Sequence, residues 1–255
     1  GCPWGASTCY RAAEGGHLGT IQWARENGCS WDRNTCMGAA RGGILITARG
    51  GHLRVLQFLR ANGCPWDDRT YFTLTALGRL DAFQWVRANG CLWSGQVCYY
   101  AAERGHLGVL RWARSNGCPW DSRTCRFAAD GGHLDVFKWA RANGCPWNHS
   151  TRLGAATGGH LRVLEWARAN GCPWNEGVRR RTAAKGDLRV LQWARANGCP
   201  WDQKTCQMAA ACGRLNVLRW TRANGCPWDD NTLKWATEGG FDDIVEWLTA
   251  NGCPR

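Results

Sequence analysis

The stretch Cys118–Gly144 reads CPWDSRTCRFAADGGHLDVFKWARANG, and a near-identical module starts again 27 residues later at Cys145. A cysteine opens each module: Cys2, Cys29, Cys64, Cys91, Cys118, Cys145, Cys172, Cys199, Cys226 and Cys253. A module of this length cannot bury a core alone. Consecutive modules must therefore stack, and stability comes from each module and its interfaces with its neighbours.

Each module contains two short stretches with helical apolar periodicity, separated by Gly-Gly or Gly-His and closed by Asn-Gly. This pattern predicts a helix, a turn, a second helix and a loop. We expect the first helix to begin near Asp121 or Thr124, whose side-chain oxygens can cap free backbone N–H groups. Ala128 and Ala129 are expected to face inward, and Gly144 to end the second helix in the left-handed conformation.

The unbroken period predicts a single solenoid domain over residues 1–255. Its nine repeats span 2–28, 29–63, 64–90, 91–117, 118–144, 145–171, 172–198, 199–225 and 226–252. Repeat 29–63 holds eight extra residues, and the insertion near 44–51 either lengthens the first helix or forms a loop carrying Ile44, Leu45 and Ile46. The chain begins with Gly1 rather than Met, so we expect further sequence before it, including any targeting signal.

Two tryptophan columns follow from this register. The loop column is Trp4, Trp31, Trp66, Trp93, Trp120, Trp147, Trp174, Trp201 and Trp228. The second-helix column is Trp23, Trp85, Trp112, Trp139, Trp166, Trp193, Trp220 and Trp247, with Phe58 substituting once. We expect both columns to pack as core between repeats. The alternative is that the loop column stacks the bases of single-stranded nucleic acid.

Cysteine placement argues against a disulfide framework. A second cysteine follows the opening one by seven residues at Cys9, Cys36, Cys98, Cys125 and Cys206, whereas Tyr71, Arg152, Arg179 and Leu233 stand there in the other repeats. Because half of the opening cysteines lack this partner, we expect reduced thiols buried as small apolar side chains. This predicts an intracellular, reducing compartment such as the cytoplasm or nucleus of a host cell.

The formal charge of +12 lies almost wholly on arginine. A column of arginines stands three residues before the closing glycine of most modules: Arg25, Arg60, Arg87, Arg114, Arg141, Arg168, Arg195 and Arg222. Our main interpretation is that these cations offset the C-terminal dipole of the second helix, and that the composition reflects a GC-rich genome. The alternative is a basic ribbon that follows phosphates of a nucleic acid.

The stretch from Thr124 to Cys145, TC..AA..GHL.VF.WARANGC, resembles the ankyrin repeat pattern TPLH.AA..GH...VV.LLL..GA. The likeness covers all nine repeats. It is greatest to a short variety marked by Cys-Pro-Trp-Asp, as in large arrays of big DNA viruses, algae and protists. The period is 27 rather than 33 residues, and the missing residues fall where ankyrin arrays carry a β-hairpin finger. The resemblance implies an all-α solenoid of about nine stacked helix-turn-helix repeats with shortened or absent fingers.

The resemblance also implies protein recognition along a concave face built mostly from the first helices, without catalysis or a cofactor. Positions five, eight, nine and twelve after the opening cysteine form one variable face of the first helix, opposite the inward alanines. The candidate partner-binding residues on it are Tyr10, Arg11, Phe72, Tyr99, Tyr100, Arg126, Phe127, Arg180, Arg181, Met208, Lys234 and Trp235. Aromatics, Met and Arg concentrate in interface hot spots. Alternatively, several of these rings are half exposed and pack between adjacent first helices.

Metal binding and catalysis find little support in the sequence. Four repeats combine two cysteines with a histidine, as in Cys118, Cys125 and His133, but structural zinc sites need four ligands and usually a close Cys-x-x-Cys pair. No phosphate-binding glycine loop, nucleophile elbow or His-Glu-x-x-His string occurs. We therefore predict no enzyme, no cofactor and no metal. No apolar run is long enough to predict a membrane span.

The leading hypothesis is a scaffold that binds a partner protein. Two other hypotheses stay open, a basic nucleic-acid-binding array and a structural subunit of a large assembly. Phosphate binding would weaken steeply with added salt, whereas an interface anchored by aromatic side chains would not.

Overall fold

The computed structural model describes residues 6–41, 51–65, 68–91, 96–172, 177–199 and 202–254. Within these ranges the chain forms eighteen helices and no strand, which confirms the predicted all-α fold. The helices group into two compact units, Gly1–Trp120 (the N-terminal unit) and Asp121–Arg255 (the C-terminal unit). The predictions for the insertion at Ile44, Leu45 and Ile46 lie outside the described residues, and the single-domain organisation stays a prediction.

The N-terminal unit is a stack of helical hairpins. Its first helices are α1 (Ala6–Glu14), α3 (Arg33–Arg41), α5 (Asp68–Ala76) and α7 (Gln96–Glu103). Its second helices are α2 (Leu18–Glu26), α4 (Gly51–Ala61), α6 (Leu80–Ala88) and α8 (Leu107–Ser115). Each first helix packs against its own second helix, and α1, α3 and α5 also pack against the next first helix of the unit. The hairpins therefore stack side by side.

The C-terminal unit repeats this arrangement. Its first helices are α9 (Ser122–Asp130), α11 (His149–Gly158), α13 (Gly177–Lys185), α15 (Gln203–Ala211) and α17 (Asp230–Glu238). Its second helices are α10 (Leu134–Ala142), α12 (Leu161–Ala169), α14 (Leu188–Ala196), α16 (Leu215–Ala223) and α18 (Asp242–Ala250). The first helices again contact one another in chain order.

Polar side chains before the first helices determine where these helices begin. The Asp121 carboxylate accepts a hydrogen bond from the backbone N–H of Arg123 at 2.8 Å, so Asp121 is the N-cap of α9, as predicted. Asn148 accepts likewise from the N–H of Ser150, and the Thr151 hydroxyl accepts from the N–H of Asn148. This reciprocal capping satisfies donors that the helix itself leaves open.

The second helices end where Asn-Gly predicts. In α10 the Asn143 side-chain amide donates to the Trp139 carbonyl oxygen at 2.8 Å, and Gly144 follows with φ +80°. The left-handed conformation strains residues that carry a Cβ, so glycine is favoured there. The predicted helix stop is confirmed.

Small side chains fill the space between the first helices. Cys125, Ala128 and Ala129 on α9 are all fully buried, as the register predicted. On α10, Val136 and Phe137 are also fully buried. The core of this repeat therefore combines small cysteine and alanine side chains with two larger apolar ones.

The tryptophans lie at the edge of this core, which corrects the expectation that both columns are buried. In the loop column Trp31, Trp120, Trp147 and Trp228 are half-buried, and the other members lie outside the described residues. The second-helix tryptophans are half-buried too, except Trp23, which is 47% exposed. Ring contacts still join successive repeats, because Phe137 packs edge-on against Trp166 with ring centroids 5.2 Å apart.

Candidate interaction surface

The structure places the twelve predicted partner-binding residues on first helices and buries none of them. The exposed ones are Arg11, Arg126, Arg181, Met208, Lys234 and Trp235. Those that are half-buried are Tyr10, Phe72, Tyr99, Tyr100, Phe127 and Arg180. They occupy positions eight and nine after the opening cysteine, opposite the buried alanines. Their contacts differ from repeat to repeat.

An aromatic cluster joins two neighbouring first helices of the N-terminal unit. Phe72 on α5 lies 5.2 Å from Tyr100 on α7, measured between ring centroids, and Tyr99 lies 4.8 Å from Tyr100. These half-buried rings pack between adjacent helices, as the alternative interpretation expected. The part of each ring that stays exposed remains accessible to a ligand.

The candidates on α1 interact locally. The Arg11 guanidinium pairs with the Glu14 carboxylate at 3.0 Å, and the Tyr10 hydroxyl donates to the same carboxylate at 3.3 Å. Arg11 is also 5.8 Å from the centre of the Tyr10 ring. An exposed ion pair of this kind contributes little to stability, so these groups can exchange partners readily.

Position eight has a structural role in the C-terminal unit that the sequence analysis missed. Arg180 on α13 pairs with the Asp202 carboxylate at 2.9 Å, and Gln207 on α15 donates to Asp229 at 2.9 Å. Asp202 and Asp229 are the N-caps of the next first helices. The available signal was the spacing, because the capping Asp follows position eight by 22 residues in both of these pairs.

The pKa of Asp202 reflects this contact. Burial by itself raises the pKa of the carboxyl group, but hydrogen bonds from Arg180 and Thr205 to the ionised form outweigh it and lower the pKa below its ordinary value. Arg180 therefore links α13 to the N-cap of α15, and its side chain is still half exposed.

Position nine is closed in two repeats, because glycine stands there and the backbones approach closely. A Cβ on Gly38 would lie 2.8 Å from the Tyr10 carbonyl oxygen, and one on Gly154 would lie 2.7 Å from that of Arg126. Variation at position nine is thus partly imposed by helix packing.

Position nine of the last two repeats carries large, exposed apolar side chains. Met208 on α15 is 36% exposed and Trp235 on α17 is 47% exposed, and the two helices pack against each other. Among the described residues, Trp23 on α2 is the other large hydrophobic side chain with such exposure. Next to Trp235, Lys234 is 4.0 Å from the Glu238 carboxylate. An apolar pair with a charged margin is therefore presented on this face.

Members of the arginine column make structural contacts with the loop that follows them. The Arg114 guanidinium lies 4.3 Å from the centre of the Trp120 ring and donates to the Cys118 carbonyl oxygen at 2.6 Å. Arg141 makes the same two contacts, with Trp147 at 4.1 Å and with the Cys145 carbonyl. The same stacking joins Arg25 to Trp31 and Arg222 to Trp228. These contacts agree with a capping role and occupy one face of each ring.

Two cation positions stand where other repeats have the second cysteine. Arg152 is fully buried and Arg179 is 2% exposed. Burial lowers the pKa of Arg152, and burial raises the pKa of Cys172 beside it.

In the described ranges no group of three or more His, Cys, Asp or Glu side chains is arranged to hold a metal ion. None of the helices in those ranges has the length and apolar character needed to cross a membrane.

Comparison with known proteins identifies the architecture. No family model and no curated protein matches the sequence. Among solved structures, the ankyrin repeat domain of human ASB11 is similar with a TM-score of 0.52, over 61% of this chain and 83% of that chain, at 18% identity. The fold is that of an ankyrin repeat solenoid. At this identity the likeness concerns the fold alone, and the short 27-residue variety of ankyrin-like repeat stays a prediction.

Proposed function

We propose that this ankyrin array is a protein-binding scaffold whose partner contacts the face formed by the first helices. The observation that carries the proposal is the exposure of Met208 and Trp235 at equivalent positions of the neighbouring helices α15 and α17. Large apolar side chains exposed on adjacent helices are candidates for contact with another protein surface. Tryptophan and methionine are also enriched at the centres of interfaces.

Charges around this pair favour a partner with acidic groups. Lys234 precedes Trp235, and the exposed Arg181 lies on α13, at the same position of the preceding repeat as Met208. Complementary charge at the rim of an interface speeds association and selects partners more than it adds affinity. The Phe72, Tyr99 and Tyr100 cluster is a second candidate contact, in the N-terminal unit.

The arginine contacts weaken the nucleic-acid alternative. Arg114 and Arg141 stack on tryptophans and donate to carbonyl oxygens, so a phosphate would have to replace contacts that already hold the loop. Buried thiols continue to favour a reducing compartment, which we propose to be the cytoplasm or nucleus of a host cell.

The test is capture of a partner by the immobilised chain from cell lysate, with and without nuclease and at low and high salt. Trp235→Ala and Met208→Ala should each reduce the amount of partner protein that is retained. For a hot-spot residue the affinity should fall by about 30-fold. Trp23→Ala is a matched control, because Trp23 has the same 47% exposure but lies on the second helix α2.

A protein that survives nuclease and salt, is lost with Trp235→Ala and is kept with Trp23→Ala would support the proposal. If Trp235→Ala and Trp23→Ala retained the protein equally, the binding site would lie elsewhere. Capture abolished by nuclease would replace the proposal with nucleic-acid binding.

A further inference from the structure

Cysteine side chains meet in pairs within the N-terminal unit. The Sγ atoms of Cys9 and Cys29 lie 2.7 Å apart, and those of Cys36 and Cys64 lie 2.8 Å apart. In each pair one cysteine lies on the first helix of a hairpin and the other follows its second helix. These separations are only about 0.7 Å longer than a disulfide bond. A metal ion bridging two sulfurs at about 2.3 Å each would require the pair to move apart.

The backbone presents both members of each pair from fixed positions. All four side chains are at most 1% exposed. The N–H of Cys29 donates to the Ala24 carbonyl at 2.9 Å, and the N–H of Cys64 donates to the Leu59 carbonyl at 2.9 Å. Groups held this closely react with each other as if at very high concentration.

The chain contains its own comparison set. Three further pairs share the register: Cys98 with Cys118, Cys125 with Cys145, and Cys206 with Cys226. In the four other repeats a different residue replaces the cysteine of the first helix, so the cysteine after the second helix has no thiol facing it. These combinations are Cys91 with Tyr71, Cys172 with Arg152, Cys199 with Arg179 and Cys253 with Leu233. Buried cysteines with and without a facing thiol therefore occur in equivalent surroundings.

We propose that Cys9–Cys29 and Cys36–Cys64 are sites of disulfide formation, in which a hydroperoxide such as H₂O₂ oxidises each thiol pair and closes its hairpin covalently. The three other pairs in this register follow the same course. The sites are independent of the proposed protein-binding face.

The reaction balances with one peroxide per pair. One thiol loses its proton, its sulfur attacks a peroxide oxygen, the O–O bond breaks and hydroxide leaves, which produces a sulfenic acid. The sulfur of the second cysteine then attacks the sulfenic sulfur, the S–O bond breaks and a second hydroxide leaves. The two hydroxides take up the two thiol protons as water. The thiols lose two electrons, which the peroxide gains.

The thiol that reacts first is suggested by its surroundings. The hydrogen bond from Cys36 lowers the pKa of the Cys64 thiol, so that Cys64 supplies the thiolate. In the other pair burial raises the pKa of Cys9 to about 12, so a slower reaction is expected there.

The experiment treats the reduced full chain with a few equivalents of H₂O₂, then alkylates remaining thiols under denaturing conditions and maps the peptides by mass spectrometry. We expect linked peptides containing Cys9 with Cys29 and Cys36 with Cys64, a loss of about 2 Da per link, and reversal by dithiothreitol. The melting temperature should rise by roughly 10 °C, because each link closes a loop. Oxidation of Cys212, which is only half-buried, shows that the peroxide has reached the protein.

Two variants give the contrast. Cys9→Ala with Cys36→Ala should remove both links and reduce the rise in melting temperature to the share that the three other pairs contribute, whereas Cys172→Ala, at a cysteine that faces Arg152, should change neither the links nor the rise. The proposal is overturned if Cys9 and Cys36 remain alkylated thiols while Cys212 is oxidised. It is equally overturned if cysteines outside the five pairs, such as Cys91, form links in comparable yield.

Discussion

Replacing Gly78 by alanine should destabilise the N-terminal unit much more than the same change at Gly90. Both glycines have left-handed backbones, with φ of +67° and +83°. A Cβ on Gly78 would lie 2.5 Å from the Nδ1 atom of His106 in the next repeat, whereas no atom lies within 4 Å of a Cβ on Gly90. The two sites therefore share the backbone strain and differ in the steric overlap.

The expected magnitudes follow from these contacts. Left-handed strain costs about 1–2 kcal/mol at either site. At Gly78 the His106 ring must also move, and its Nε2 atom donates to the Ala76 carbonyl oxygen at 3.0 Å. Losing that hydrogen bond and its packing adds about 2 kcal/mol. We expect a loss of about 3–4 kcal/mol for Gly78→Ala and about 1–2 kcal/mol for Gly90→Ala.

Urea-induced unfolding followed by circular dichroism measures both losses, and a double-mutant cycle with His106→Ala isolates the clash. If the ring is the obstacle, Gly78→Ala should cost less once His106 is alanine, with a coupling energy of about 1–2 kcal/mol. Equal losses for the two glycine variants, or a coupling energy below about 0.5 kcal/mol, would show that the His106 ring is not the obstacle.

Two further predictions concern Asp202 and Trp120. Burial raises the pKa of Asp202, but Arg180 lowers it by more, so the pKa in the folded protein lies below the unfolded value of about 3.9. The ionised Asp202 therefore stabilises the fold above about pH 4, and this contribution is lost as the pH falls further. Asp202→Asn should therefore flatten the fall in stability between about pH 5 and pH 3, and an unchanged acid profile would contradict this. Trp120→Ala should cost about 2 kcal/mol in urea titrations, since the ring is half-buried beneath Arg114. A loss of 4 kcal/mol or more would indicate a fully buried ring.

The helical hairpin could be read from the sequence because its signals are local. Asp121 caps a donor two residues away, and Asn143 caps a carbonyl four residues away, so short-range spacing suffices to place both helix ends. The inward positions of Ala128 and Ala129 follow from helical periodicity alone. The 27-residue repeat then requires the hairpins to stack.

The candidate face was predictable in position but not in its contacts. Sequence comparison between repeats placed Met208 and Trp235 on the variable side of their helices, and the structure leaves both exposed. It did not reveal that Arg180 binds Asp202 in the next repeat, or that Gly154 is held against a neighbouring carbonyl. The regular tryptophan columns also suggested a tryptophan core, whereas the described rings lie at its edge.

The 27-residue repeat is visible in the amino-acid sequence, and so are the helix ends and the inward face, because these depend on residues a few positions apart. Packing between helices brings the Cys9 and Cys29 sulfurs together and places Arg114 over the Trp120 ring. It also sets which large apolar side chains remain exposed to solvent. These outcomes depend on how closely each helix approaches the next and on which rotamers remain open there. The sequence of one module does not reveal the helix separation or the open rotamers, because both are set by packing against neighbouring modules.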